Sequence, residues 1–366
     1  MILLNKRVLI LSGIPWNTTI QRHHNIAFLL ERLNYDVFFV EKIPSSKFTI
    51  KKLVHRIISD HKKNEHSPCI NKNNIRIISS QFLNPMKGVF WIVNKYQIKQ
   101  LIKQVGKNFD VIINYLPVNT TYCVMESINA KITIYDCVRD FENWGGYPCN
   151  IQKIESKVIS RSDFILVDSY YLNNKIKSRY PASSVIQILP TVSKQLIPIL
   201  RNCKVSNKIR NILYFGAVGS HIDVDILNKL AEDGYNIHII GEVYHSVKLS
   251  DRIINHGFIS NLVELSEMIV EYANAIIIPY KGNMDGVIPA KLMQCIATGL
   301  PVYINRFYDS EILKQYLYIY EEYNDLKNMI EQYNLDKHIR IREEMIDFCS
   351  QNSEDNQFLK LCSILK

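Results

Sequence analysis

The sequence predicts an α/β protein built from two doubly wound, parallel-sheet domains, and three observations carry that expectation. The chain is 366 residues long, about twice the usual domain size, so two domains are the natural division. Short apolar runs, several closing on glycine, alternate with segments whose apolar residues recur at helical spacing, the pattern of parallel strands joined by crossover helices. The alternation lapses once, over residues 191–210, and then begins again.

The elements follow in order. Arg7 to Gly13 is an apolar run ending in glycine, Gln21 to Leu33 places Ile26, Leu29, Leu30 and Leu33 on one helical face, and Tyr35 to Val40 is a second strand. Further buried strands are expected at Asn74–Ile78, Val111–Tyr115, Ile132–Tyr135 and Phe164–Val167, giving a Rossmann-like domain over residues 1–190. Residues 191–210 lose periodicity and are expected to link the domains. A second Rossmann-like domain over 211–340 opens with strand Ile212–Phe215 and Gly216. It continues with helix Val224–Leu230, strand Ile237–Ile240 and Gly241, helix Leu262–Val270, strand Ala275–Ile278, helix Ala290–Ala297 and strand Val302–Ile304. Residues 341–366 are expected to form a helix that crosses back to the first domain. Ligands of open α/β sheets bind beyond the carboxyl ends of the strands. Loops at Gly13, Tyr115, Asp136, Gly216, Gly241 and Tyr280 should therefore line one cleft between facing domains.

Composition narrows the class. Hydrophobic residues make up 47% and charged residues 22%, enough apolar surface for proper cores. The eight cysteines are scattered without a CxxC pair, which argues against a disulfide framework and a zinc site and points to a reducing cytosol. The apolar start is broken by Asn5, Lys6 and Arg7 and lacks a small-residue cleavage site, unlike a signal peptide. No stretch approaches the roughly 20 apolar residues of a membrane-spanning helix. The expected location is cytoplasmic.

The net charge of +9 is unevenly spread. Residues 1–110 hold 18 Lys/Arg against 6 Asp/Glu, a balance of +12 that leaves −3 for the other 256 residues. Two segments concentrate it. Ile50, Leu53, Val54, Ile57 and Ile58 fall at helical spacing among Lys47, Lys51, Lys52, Lys62 and Lys63, and Lys95, Lys99, Lys103 and Lys107 run beside Ile98, Leu101, Ile102 and Val105. Each reads either as a core-facing stripe with a solvated face or as a peripheral dock on the anionic inner face of the plasma membrane, through Lys51–Lys63 and Lys95–Lys107. Nucleic acid is not an expected partner, since the basic segments lack interleaved aromatics and carry no known motif.

Four segments, in order along the chain, resemble one family. They are Pro15-Trp-Asn-Thr-Thr-Ile-Gln-Arg-His-His24, Ile134-Tyr-Asp-Cys-Val-Arg-Asp140, Ser162-Asp-Phe-Ile-Leu-Val-Asp-Ser169, and Ile278-Pro-Tyr280 with Ile288-Pro-Ala-Lys-Leu-Met-Gln-Cys-Ile-Ala-Thr-Gly-Leu-Pro-Val302. Together they are similar to the GT-B glycosyltransferases, specifically the large retaining family that makes bacterial surface polysaccharides and its teichuronic-acid-type members. The resemblance implies a nucleotide-sugar donor and a lipid-linked oligosaccharide acceptor, as in O-antigen or capsule synthesis. It also implies transfer with retention and no metal or other cofactor. Two positions depart from the family pattern: its paired Glu residues fall here on Gly286 and Gln294, and its Arg and Lys after the first strand of the second domain are absent, with His221 the nearest counterpart.

Residue by residue, Pro289 opens a helix whose first turn holds Lys291, a place suited to a diphosphate; the alternative is a solvated lysine. Gln294 lies three residues on and is either a ribose contact or a surface residue. Gly216, with Gly219, permits close approach of phosphate. Gly241 and Glu242, and Phe258 and Ile259, are expected to hold the base; Gly13, Tyr280, Lys281, Gly286 and Leu292 complete the donor set. Asp223-Val-Asp225 matches a DxD metal motif but reads better as a helix N-cap and first turn. The family loop places Arg22, His23 and His24 toward the transferred sugar. One histidine at most can face the site while the other packs, and His23 is preferred. Asp140 and Asp136 are the acidic candidates on the acceptor side. Two rival readings stand beside transfer: a two-domain sugar-nucleotide 2-epimerase, and a non-catalytic member that binds a nucleotide or a partner transferase.

Overall fold

The computed structural model describes residues 6–18, 20–45, 74–83 and 89–365, so the Lys51–Lys63 segment lies outside the described residues. The chain divides into two compact units. One comprises Met1–Val167, Leu172–Gln187 and Leu365–Lys366, the other Asp168–Tyr171 and Ile188–Ile364.

The first unit holds seven strands: β1 (Lys6–Leu11), β2 (Tyr35–Glu41), β3 (Ile75–Ser79), β4 (Asn108–Asn114), β5 (Asn129–Cys137), β6 (Phe164–Val167) and β7 (Val185–Gln187). Their order is β3-β2-β1-β4-β5-β6-β7, every pairing parallel. Val8 to Leu11 are completely buried, because helices cover both faces of a parallel sheet and leave its central strand no wet side. Those helices include α1 (Arg22–Arg32), α2 (Val89–Val105), α3 (Asn119–Ser127), α4 (Ile151–Arg161) and α5 (Tyr170–Arg179). Sequence order reverses between β1 and β4, so the switch point lies just past Leu11 and Asn114.

The second unit repeats the logic with six strands: β8 (Asn211–Phe215), β9 (Asn236–Ile240), β10 (Ile254–Asn255), β11 (Ala275–Ile278), β12 (Val302–Asn305) and β13 (Tyr318–Tyr320). They run β10-β9-β8-β11-β12-β13, all parallel, and the switch point falls between β8 and β11.

Residues 191–210, expected as a linker, belong to the second unit. Val192, Leu196, Ile197, Leu200 and Cys203 bury in its core around α6 (Ile197–Leu200), because five apolar side chains without helical periodicity still find a packed surface. The remaining helices of this unit are α7 (Val224–Glu232), α8 (Leu262–Tyr272), α9 (Leu292–Ala297), α10 (Tyr308–Ile312), α11 (Tyr323–Glu331), α12 (Leu335–Gln351) and α13 (Glu354–Ile364). The C-terminal region is thus two helices, with Met345, Ile346 and Cys349 of α12 in the second unit's core. Leu365 groups with the first unit, where its carbonyl accepts from the Lys6 ammonium at 3.3 Å and the Tyr35 hydroxyl at 3.4 Å.

Candidate functional site

At the second unit's switch point, β8 ends on Phe215 and β11 runs into Pro279 and Tyr280. The Lys291 ammonium reaches in from the turn before α9 and donates to the Phe215 carbonyl. It lies 4.0 Å from the centroid of the Tyr214 ring and 5.9 Å from that of Tyr280. No carboxylate among the described residues lies within ion-pair distance of it. Burial disfavours the charged form and pulls its pKa from 10.5 to about 8. Ring faces and one carbonyl soften that penalty without supplying a counter-charge. The result is a desolvated ammonium with no counter-charge among the described residues.

The glycines make the space. Gly216 has φ +118°, and a Cβ there would collide with the Lys291 ammonium. A Cβ at Gly241 would collide with the Gly216 carbonyl, so two glycines let the loops after β8 and β9 touch; Gly216 N–H donates to the Ile240 carbonyl at 2.8 Å. His221 joins the same loop, its ring 5.8 Å from Tyr280. Burial first, and then the Lys291 charge, lower its pKa.

The other donor candidates are placed less uniformly. Helix α9 spans only Leu292–Ala297, two residues shorter than expected at its start, and Lys291 is its N-cap rather than a first-turn residue. The Pro289 carbonyl accepts the Leu292 N–H at 2.9 Å, and the Leu292 side chain is fully buried in core. The Gln294 amide nitrogen is buried and has no hydrogen-bond partner among the described residues. Gly286 turns the chain at φ +83°. Lys281 sits 3.8 Å from Asp223 and 4.0 Å from Asp225, so the DxD aspartates face a lysine; Asp223 precedes α7 without a side-chain capping bond. Glu242 is exposed and Ile259 half-buried, while Phe258, after β10, is 69% exposed. None of these three hydrogen-bonds or ion-pairs with Lys291 among the described residues.

The first unit's switch point has a different character. His23, one residue into α1, sits at 2.8 Å from the Ser12 hydroxyl through Nδ1, and its ring stacks on Tyr115 at 3.6 Å and 15°. Burial, then the charges of His24, Arg22 and Arg139, push its pKa from 6.5 down to about 3, so it is a neutral imidazole at any physiological pH. His24 is also buried, but it serves the loop: Nδ1 accepts the Gln21 N–H at 3.0 Å, Nε2 lies 3.1 Å from the Trp16 carbonyl, and its ring meets the Trp16 indole edge-on at 5.1 Å. Arg22 grips Asp136 through Nε at 2.9 and 3.1 Å, and Asp136 is fully buried. Asp140 is held by the Lys175 ammonium at 2.6 Å and the Asn143 amide at 2.9 Å, which offsets its charge internally. At Gly13 a Cβ would press on the Leu116 methyls at 3.1 and 3.3 Å.

Sequence reasoning missed Ser12, Tyr115 as the histidine's platform, Tyr214 and Arg139. All but Tyr214 lie just past strand ends, and knowing the strand order would have singled out the first two. Arg139 stacks on Trp144 at 4.6 Å and donates to the Tyr147 hydroxyl at 3.2 Å.

No protein-family model matches the chain, and no curated protein matches it in sequence. Solved structures do match. Sucrose-phosphate synthase from Thermosynechococcus elongatus superposes with a TM-score of 0.68 at 12% identity, covering 98% of each chain. A glycosyltransferase from Rickettsia africae gives 0.65 at 12% identity, covering 99% of this chain and 98% of its own. Anabaena HepE, in complex with UDP and glucose, gives 0.63 at 11% identity with 99% of both chains covered. The likeness spans the whole chain, and the fold is that of the GT-B glycosyltransferases.

Proposed function

We propose that the chain is a sugar-nucleotide-dependent glycosyltransferase that moves a hexose to a lipid-linked saccharide of a bacterial surface glycan such as O-antigen or capsule, with retention and without a required metal. The observation that carries this reading is the buried Lys291 ammonium at a topological switch point, charged and, among the described residues, without a carboxylate in ion-pair distance. A nucleoside diphosphate supplies the missing negative charge. Gly216 leaves the place that the Lys291 ammonium fills, Gly241 lets the loops after β8 and β9 touch, and Phe258 offers a bare ring face on which a base can stack. The Gln294 amide is the group left to donate to a ribose hydroxyl. The structure of HepE with UDP and glucose makes UDP and UDP-glucose the first probes.

Catalysis in this reading rests on electrostatics and positioning. Lys291 stabilises the diphosphate as it leaves, and the leaving oxygen takes the proton of the incoming hydroxyl on the face it vacates, so no protein nucleophile is needed. His23, neutral and clamped by Ser12 and Tyr115, and Arg22, fixed by Asp136, orient the sugar. Asp140 holds the loop that follows β5 on the acceptor side. Gly286 and Gln294, standing where the family has Glu, favour one alternative, a member that binds nucleotide without turning it over.

Calorimetry with UDP, GDP and ADP tests the assignment. One diphosphate is expected to bind, and Lys291→Ala is expected to weaken it by about 1.5–3 kcal/mol, the worth of a charge-assisted contact. Equal affinity in the variant removes Lys291 from the site. Binding without turnover on any lipid-linked acceptor selects the non-catalytic reading.

A further inference from the structure

We propose that the outward face of α2 docks on an anionic lipid bilayer, with Trp91, Ile92 and Tyr96 entering the interface and Lys95, Lys99 and Lys103 lying against lipid phosphates. The inference rests on the lipid-linked acceptor of the proposed function and names the surface at which that acceptor is met.

The helix has two faces. Inward, Ile98, Leu101 and Val105 are buried, and Asn94 is completely buried, its amide donating to the Leu83 carbonyl at 2.6 Å and accepting the Leu83 N–H at 2.8 Å. That face is spent on the fold. Outward, Trp91 is 41% exposed, Ile92 65% and Tyr96 60%, three large side chains within two turns. Residues 92, 96, 99 and 103 fall at i, i+4, i+7 and i+11, so Ile92 and Tyr96 continue into Lys99 and Lys103 along one stripe, with Trp91 and Lys95 beside it. The Lys95 ammonium sits 3.6 Å from the Trp91 ring.

This arrangement matches one occupant. Indole and phenol rings settle at the headgroup level of a bilayer, with an apolar body inside and a polar edge in water. Lysines one turn away reach phosphates while their stems cover apolar surface. Among the described residues none of the three lysines pairs with a carboxylate, and the first 110 residues carry +12, which a negative leaflet attracts. Among the described residues no helix is long and apolar enough to cross a membrane, so α2 would lie on the surface rather than span it. The expectation that the basic segments lack interleaved aromatics does not hold here, since Trp91 lies one turn before Lys95 and Tyr96 lies between Lys95 and Lys99.

Flotation of the full chain with vesicles of phosphatidylcholine plus phosphatidylglycerol, against phosphatidylcholine alone, tests the proposal. Binding is expected only with the anionic lipid, weakening as salt rises. Ile92→Ser with Tyr96→Ser, and separately Lys95→Gln with Lys99→Gln and Lys103→Gln, are each expected to lower the partition coefficient by about tenfold or more. Brominated lipid should quench tryptophan fluorescence in the native chain and lose that quenching in Trp91→Phe. No vesicle binding, equal binding to neutral vesicles, unchanged partition in both variants, or quenching that survives Trp91→Phe overturns the proposal. Oligonucleotide binding in place of vesicle binding does the same. UDP calorimetry on the same variants should read native affinity, so a failure of docking is distinguished from a failure of the donor site.

Discussion

The two switch points are built alike and charged differently. Both lie where strand order reverses, at the ends of buried parallel strands, and both bring a side chain from the start of a helix over an aromatic ring: His23, in the first turn of α1, over Tyr115, and Lys291, the N-cap of α9, over Tyr214. In the first unit the ionised groups nearby are neutralised within the chain, Arg22 by Asp136 and Asp140 by Lys175, and the histidine is uncharged. In the second, a buried cation lacks a counter-charge among the described residues. Similar topology therefore leaves different electrostatics after folding: under the proposed function, the surroundings of His23 suit a neutral, hydroxyl-rich group and those of Lys291 a polyanion.

The largest expected effect breaks the first half of that comparison. If His23 only orients a neutral sugar, His23→Ala lowers the transfer rate by roughly 10²-fold, leaves UDP affinity unchanged and traps no covalent intermediate. An accumulating glycosyl-enzyme in mass spectra, or a lost UDP affinity, would undo the division of labour. The same residue predicts an acid limit. Its folded pKa, about 3, lies below its unfolded 6.5, so its share of stability is complete above pH 6.5 and drains away as pH falls toward 3. Denaturant melts of His23→Gln should depend less on pH across that window than those of the native chain.

A smaller effect sharpens the second half. Lys291→Met removes a charge whose burial disfavours the fold while keeping an unbranched side chain one atom shorter. UDP affinity is expected to fall by about 10- to 100-fold while the melting temperature holds or rises. A drop in stability of the same size as the drop in affinity would make Lys291 a structural group.

Much of the fold was legible because parallel sheets write themselves into sequence as continuous apolar runs. Ile212–Phe215 and Ala275–Ile278 were readable to within a residue of the observed strands, being buried on both faces. Short edge strands were not: Val185–Gln187 and Ile254–Asn255 are two or three residues long and half-buried or exposed, too brief for any period to register. The same brevity hid the core role of Val192 to Cys203, whose burial comes from distant partners. At the site, Lys291 was visible through Pro289 and its place in the chain, but its pairing with Tyr214 and Phe215 was not. That contact joins residues 76 positions apart and depends on which strand lies beside which. For His23 and His24, adjacent and chemically identical, helix geometry gave a preference for His23, but the Ser12, Tyr115 and Trp16 contacts that distinguish their surroundings were not legible.

The finest distinction between the two switch points is a proton. Free Lys291 titrates near pH 8, and a bound diphosphate, carrying the opposite charge, must raise that value. Because the bound pKa exceeds the free one, affinity is complete below pH 8 and declines as pH climbs through the bound value. Binding at pH 8 should then draw about half a proton from solution, and at pH 6 almost none. His23 contributes nothing at either pH, since it is neutral with or without ligand. Calorimetry of UDP-glucose in buffers of different ionisation enthalpy measures this uptake directly, and Lys291→Met, which has no proton to gain, retains only the share that belongs to other groups, so the difference is the share of Lys291. Equal uptake in the native and variant proteins would mean that the ammonium does not meet the diphosphate, and the contrast between a neutral and a charged switch point would lose its chemical meaning.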